Sequence, residues 1–417
     1  MNQLIPPHGL RPFRYFLAAG WFAGVLSVMP AAASAQTDPA YRDIVTAVLK
    51  ANPDIRIARL RVDSARAETR IARALPNPSA TIAPQVPYQY VLTAPLDVGP
   101  VRTERIRAAG AGLSATIADS RDFERQLRFT AGAAYFDLVV AEDRRDLAHD
   151  EARMVGELLA ADSARVRAGD APERVLVAGE LELAKATTAV AQAHAAVRAA
   201  RIALQLLMGS GRLDSAFTVA RVADAHALDL TLRLHIDSAS EARPDVDAAA
   251  QRAIASRALD AQARALLLPV PSVALVVQPD APFANGQNTA LGLSLQFPLL
   301  NWYGGERERA RAGAEQARIA EERARRQARA EAEAAVDQFT AANALRRRYD
   351  AALLAKSREA VERDRYAYRA GALSYVELID ALRTWGQIRN DALTATHDAW
   401  VAALALNRAF GREIITP

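Results

Sequence analysis

Residues 102–168 contain no proline, and neither do residues 305–370. Both runs are dominated by Ala, Arg, Glu and Leu, which lose little side-chain freedom in a helix. At about 1.5 Å per residue, each run predicts a single helix roughly 100 Å long. No globular domain can enclose such a rod, so it must lie beside other helices, as in a coiled coil or a helical barrel. Residues 39–75 and 173–208 are each about half as long and, stacked end to end, would line the first rod. Residues 242–268 and 374–411 would do the same for the second.

The chain reads twice. "ANPDIRIARLRVDSARAETRIARALPNPSATIAPQ" (51–85) resembles "ARPDVDAAAQRAIASRALDAQARALLLPVPSVALVVQ" (242–278), with Pro53, Pro76 and Pro78 facing Pro244, Pro269 and Pro271. "ALQLLMG" (203–209) matches "ALNRAFG" (405–411), and Arg-Ala-Gly ends both long runs, at Gly169 and Gly371, 202 residues apart. A duplication at this period is the economical reading. It divides the chain into a first repeat over 36–209, a linker over 210–241, a second repeat over 242–411 and a tail over 412–417. The first repeat holds a helix, a β-hairpin at about 78–97, a long helix over 102–168, a tip over 167–173 and a helix over 173–208. The second holds a helix, a hairpin at about 271–298, a long helix over 305–370, a tip over 369–374 and a helix over 374–411. Glycine at each tip permits the left-handed conformation that reverses a helical chain.

The hairpins alternate. "TALGLSLQF" sets Leu291, Leu293, Leu295 and Phe297 against Gly292, Ser294 and Gln296, and "YQYVLTA" alternates through Tyr88, Tyr90 and Leu92. One apolar and one polar face suits a soluble sandwich, or an outer-membrane barrel with lipid on one side and a lumen on the other. Four strands cannot close a barrel, and lipid does not tolerate an open edge, so in a membrane several chains must share one barrel. Trp302 and Tyr303 follow the last strand, where an interfacial aromatic girdle would sit; packing beneath a sheet fits them equally well.

Ahead of the first repeat, Arg11 and Arg14 precede an apolar run from Phe16 to Met29, and Ala33-Ser34-Ala35 supplies a small-residue cleavage site. Residues 1–35 therefore read as a cleaved secretory signal peptide, with a retained N-terminal anchor as the bland alternative. Removing them lowers the net charge from +4 to +2, which gives no support for nucleic-acid binding. The chain has no cysteine, excluding disulfides, thiolate metal sites and a lipid-modified N-terminal cysteine. The six histidines, His8, His149, His194, His226, His235 and His397, fall in no metal-ligand spacing. Gly110 and Gly112 lie inside a helical run, and neither a phosphate-binding loop nor a nucleophile elbow is present. No enzyme activity, catalytic residue, metal site or cofactor is expected.

The duplicated order of elements, the repeat starts "ANPDI" and "ARPDV", the junctions "PLDVGPVR" and "PLLNWYGGERERARA", and the tips "RAGDAPERVLVAGEL" and "YRAGALSYVELIDALRT" resemble the outer-membrane efflux protein family, the TolC-like outer-membrane factors. The resemblance covers nearly all of residues 39–411, and the junctions look most like the heavy-metal (cobalt-zinc-cadmium type) RND branch. It implies a mainly α fold with a small β part: a duplicated TolC-like fold, with a long α-helical barrel and two β-hairpins per chain contributing to a trimeric 12-stranded outer-membrane β-barrel. It implies a homotrimer in outer-membrane lipid with its α-barrel in the periplasm. The function implied is a passive exit duct for solutes or metal ions. The partners implied are a periplasmic adaptor (membrane fusion protein) and an inner-membrane pump of RND type.

The resemblance also assigns residues. Arg167, Ala168, Gly169, Arg369, Ala370 and Gly371 would meet the adaptor, where a plain helix cap is the bland alternative. Glu377 and Asp380, at i and i+3 on one helix face, would ring the pore constriction with carboxylates that favour cations; a solvated face is their bland reading. Tyr368 matches a residue that latches the closed state. Its expected basic partner is replaced by Leu373 and an expected first-repeat acid by Val175, leaving Glu173 and Arg174 as substitutes. Two other functions fit the same elements. One is the outer-membrane exit of type I protein secretion, and the other is a periplasmic coiled-coil scaffold or adaptor without a pore.

Overall fold

The helix expected over residues 39–75 is two helices, α1 (Tyr41–Ala51) and α2 (Pro53–Arg73), jointed at Asn52. Pro53 has no N–H with which to continue α1, and its fixed φ suits the first position of a new helix. Asn52 secures the joint in two directions. Its Oδ1 accepts from the Asp54 N–H at 2.9 Å, and its Nδ2 donates to the Leu207 carbonyl at 2.9 Å. Leu207 ends α4 (Arg174–Leu207), so α2 and α4 abut end to end.

The computed structural model describes residues 39–84, 88–221, 243–280 and 282–415. The signal segment at 1–35 and most of the 210–241 linker lie outside the described residues. The first long helix is unbroken: α3 (Pro100–Ala168) runs for 69 residues, and α1, α2 and α4 pack along it. The second is not. In place of one helix over 305–370 there are α6 (Gly304–Arg348) and α7 (Ala351–Arg369). Asp350 adopts an extended conformation between them, and its carboxylate accepts from the Leu353 N–H at 2.8 Å. That side-chain bond starts a new helix at the cost of the old one. α5 (Pro244–Ala265) packs on α3 and α6, and α8 (Tyr375–Phe410) packs on α3, α6 and α7.

Small residues line the α3–α5 seam. Ala108, Ala111, Ala115 and Ala118 of α3 are buried, as are Ala248, Ala253 and Ala258 of α5, which lets the two backbones approach closely. Large side chains gather where α1, α3 and α8 meet: Ile44, Val48, Tyr135, Phe136, Leu138, Trp400 and Leu404 are buried together. The Phe136 and Trp400 rings stack with centroids 5.2 Å apart. On the same α3–α8 seam, His397 contacts Asp137 through Nε2 at 2.8 Å and its neighbour Asp398 through Nδ1 at 3.0 Å. Beside the core, Arg243 is buried at the start of α5. Its guanidinium bonds the carboxylates of Asp245 and Glu331 at 2.6 Å each, so the buried charge is paired twice.

The four strands are β1 (Ser79–Ala83), β2 (Gln89–Pro95), β3 (Val270–Val277) and β4 (Thr289–Gln296). They form one antiparallel sheet in sequence order, with β2 pairing β3 across the two hairpins. The register sets Ile82 opposite Tyr90, Leu92 opposite Leu275, Leu275 opposite Leu291, and Val273 opposite Leu293. One face is therefore largely apolar across all four strands. The other is mixed: Ser79, Thr81, Gln89, Thr93, Ser272, Ala274, Gly292, Ser294 and Gln296 share it with Val91, Val270 and Val276.

Two of these contacts have measurable consequences for stability. Asn52→Ala removes a cap that is 3% exposed and leaves the Leu207 carbonyl without its partner, which costs about 1–2 kcal/mol and lowers the thermal unfolding midpoint. The Asp137 contact raises the pKa of His397 above its ordinary 6.5, against the opposing effect of burial and with help from Asp398. A raised histidine pKa stabilises the fold fully below about 6.5 and ceases to do so as pH rises through the folded value. The unfolding midpoint of His397→Gln should therefore fall furthest below wild type near about pH 6 and converge on it at alkaline pH.

Candidate functional site

Gly169 and Gly371 both sit in the left-handed region, at φ 83° and 74°, and both end a helix in the same way. At the first tip the Gly169 N–H bonds the Val166 carbonyl and the Asp170 N–H bonds the Arg165 carbonyl. At the second the Gly371 N–H bonds the Tyr368 carbonyl and the Ala372 N–H bonds the Ala367 carbonyl. A side chain in that backbone conformation would be strained, so the recurrence of Arg-Ala-Gly has a local cause. Arg167, Ala168, Gly169, Arg369, Ala370 and Gly371 are all exposed.

The two tips lie side by side, joined by a buried polar contact. The Tyr368 hydroxyl on α7 donates to Asp162 Oδ1 on α3 at 2.6 Å, and Asp162 is 1% exposed. Arg165, one turn along α3, stands 3.7 Å from the same carboxylate oxygen and places its guanidinium 5.2 Å from the Tyr368 ring centre. Burial, followed by the hydrogen bond to Asp162, pushes the Tyr368 phenol well above its ordinary pKa, so it remains a donor at neutral pH. Arg365 of α7 pairs with Glu157 of α3 at 3.3 Å, and Arg383 of α8 pairs with Glu182 of α4. Every α-helix of the tip region is thus tied to a neighbour by a bond involving a charged group.

This arrangement changes the expected partner set of Tyr368. Its acid is Asp162, seven residues before Gly169, and its cation is Arg165; neither Glu173 nor Arg174 takes either role. Glu377 and Asp380 are both exposed on the first turn and a half of α8. Glu377 has a local structural task as well. Its carboxylate accepts from the Ser374 hydroxyl at 2.7 Å and the Ser374 N–H at 2.8 Å, closing a capping box, and these bonds hold its pKa below the usual carboxylate value. At the opposite end of the helices, Trp302 is 66% exposed, and Tyr303 caps α6 in a left-handed conformation.

Of the six histidines, three lie among the described residues. The structure brings two of them together: His149 on α3 and His194 on α4 face each other with Nε2 atoms 2.9 Å apart. Among the described residues no three His, Cys, Asp or Glu side chains converge as a metal cluster, and no helix is long and apolar enough to cross a membrane.

No family model and no curated protein matches the sequence. Solved structures do match the fold. The chain superposes on CusC with a TM-score of 0.77 at 21% identity, covering 89% of this chain and 92% of that one. A membrane protein from Pseudomonas aeruginosa gives 0.78 at 21%, covering 92% and 98%. The CmeC outer membrane channel of Campylobacter jejuni gives 0.76 at 16%, covering 91% and 87%. The chain therefore has the TolC-like fold, with long helices and two β-hairpins, over almost its whole described length.

Proposed function

We propose that this chain is the subunit of a trimeric outer-membrane duct, the passive exit component of a tripartite efflux system. The observation that carries the reading is the sheet. Ile82, Tyr90, Leu92, Leu275, Leu291, Leu293 and Leu295 share one face, and each is exposed by more than a third, with Leu291 at 80%. A soluble chain does not leave a face of that size in water, whereas a barrel wall turns such a face to lipid and the opposite face, where the polar side chains of the strands lie, to a lumen. Three copies would supply twelve strands, and Trp302 and Tyr303 would sit at the lipid boundary. The fold shared with CusC and the CmeC channel supports the same conclusion.

α3 leads away from the sheet at Pro100 and ends at the exposed Gly169 tip, roughly 100 Å distant. In the duct reading that places the α-barrel in the periplasm and its tips before a periplasmic adaptor and an inner-membrane pump, for which an RND type fits the strand-to-helix junctions. Arg167 to Gly169 and Arg369 to Gly371 are the adaptor contacts we assign, because they are exposed on two adjacent reversals of the same build. The cargo we assign is small solutes or metal ions. Glu377 and Asp380 from three chains would place six carboxylates near the closed end and favour cations. The Tyr368–Asp162 bond, braced by Arg165, is the contact we assign to holding that end shut. The chain's own groups provide no chemistry in this scheme: energy enters through the pump.

Single-channel recording of the folded trimer in a planar bilayer tests the reading. Small, cation-selective currents are expected. Glu377→Ala/Asp380→Ala should abolish the selectivity, and Tyr368→Phe, which removes the bond to Asp162 and leaves the Arg365–Glu157 pair in place, should raise conductance, with Tyr368→Phe/Arg365→Ala raising it further. A folded protein that neither inserts nor conducts would identify a periplasmic scaffold instead.

A further inference from the structure

His149 and His194 stand on separate, antiparallel helices and present nitrogen to nitrogen at 2.9 Å, with ring centres 5.0 Å apart and ring planes at 80°. Without a bound ion, one Nε2–H donates to the lone pair of the other ring. If both protons move to the Nδ1 atoms, two lone pairs point into the same gap. Metal–imidazole bonds of about 2.0–2.1 Å separate the two nitrogens by about 2.9 Å when they meet at a right angle, and by about 3.3 Å when they meet tetrahedrally. The observed 2.9 Å separation, with ring centres 5.0 Å apart, is that of a head-on N–H···N hydrogen bond, and a small rotation of the two rings turns both lone pairs onto one ion, for which imidazole ligands favour Cu2+ and Ni2+.

The surroundings admit a cation. Both histidines are exposed, so the remaining coordination positions are open to water. Arg145 and Arg153, one turn to either side of His149, are bonded to Asp146 at 2.7 Å and Asp150 at 3.0 Å, which offsets their charge. On α4 the same-face neighbours of His194 are Val190, Ala191, Val197 and Arg198, three of them uncharged, so the one cation within a turn on that helix is the Arg198 guanidinium. We propose that His149 and His194 form a two-imidazole site for a divalent transition-metal ion of the Cu2+ or Ni2+ type, one on each α3–α4 hairpin. The ion clamps the two helices at a point 20 residues before Gly169 and 21 after Glu173, between the tip and the joint at Leu207. Because both ligands belong to one chain, the site does not depend on the duct reading.

Titration of untagged, detergent-purified protein with CuCl2, followed by calorimetry and by electron paramagnetic resonance, tests it. One Cu2+ per chain is expected, displaced by Ni2+ but not by Mg2+ or Ca2+, with nitrogen hyperfine structure from two imidazoles. His149→Gln and His194→Gln should each weaken binding at least tenfold and reduce the spectrum to one nitrogen, while His397→Gln leaves both unchanged. A folded wild type that takes up no Cu2+ at micromolar concentration, or uptake insensitive to both His149→Gln and His194→Gln, would overturn the assignment.

Discussion

A helix of 69 residues imposes the constraint on which this structure depends: its flank must be covered along all of its length, and no single partner of ordinary size can reach. α3 is covered in two stages. α1 and α2 pack on the half near the sheet and α4 on the half near the tip, and the two stages meet where Asn52 bonds the Leu207 carbonyl. That one side chain answers two unsatisfied helix ends at once, an N–H of α2 and a carbonyl of α4. The second half of the chain solves the corresponding problem differently. Arg243 stands at the same point of the repeat and secures α5 through carboxylates on α5 and α6, with Arg125 of α3 bonding the Arg408 carbonyl near the end of α8. The two halves thus share an outline and differ in the chemistry of their joints.

Much of the outline was legible in the residues. Proline-free stretches marked the rods, Arg-Ala-Gly marked their ends, and period-two alternation marked the strands. The breaks were less so, for distinguishable reasons. Asn-Pro at 52–53 is a helix start written in the sequence, and it was outweighed by the helical character on both sides. The Tyr349–Asp350 break has no proline or glycine to announce it; only Asp350, able to accept from an N–H three residues on, carries the signal. Aspartates are so common on solvated helix faces that such a signal is weak alone.

The tip contacts show where sequence reasoning stops. Asp162 and Tyr368 are 206 positions apart, and nothing local ties a buried carboxylate on α3 to a phenol on α7. The resemblance and its position after Gly371 assign Glu377 to the pore, and the backbone also uses it to cap α8. The histidine pair is a different case. His149 and His194 are nearly equidistant from the turn at 169–173, so an antiparallel hairpin folded there must bring them level. Spacing rules written for one helix, such as i and i+4, do not see a pair created by a reversal.

The sheet has two ends that the chain cannot finish. β1 and β4 each present an outer row of unpaired N–H and C=O groups, and within hydrocarbon those groups have no water to turn to. Four alternating strands leave the edges running in opposite directions, so β4 of one copy can continue the antiparallel order on β1 of the next. Such a contact is head-to-tail, and only a closed ring satisfies every member of it. Each chain then completes its own backbone hydrogen bonding only through its neighbours. In the duct reading, entry into lipid and association become a single event, and one copy with a damaged β1 would leave the whole ring open.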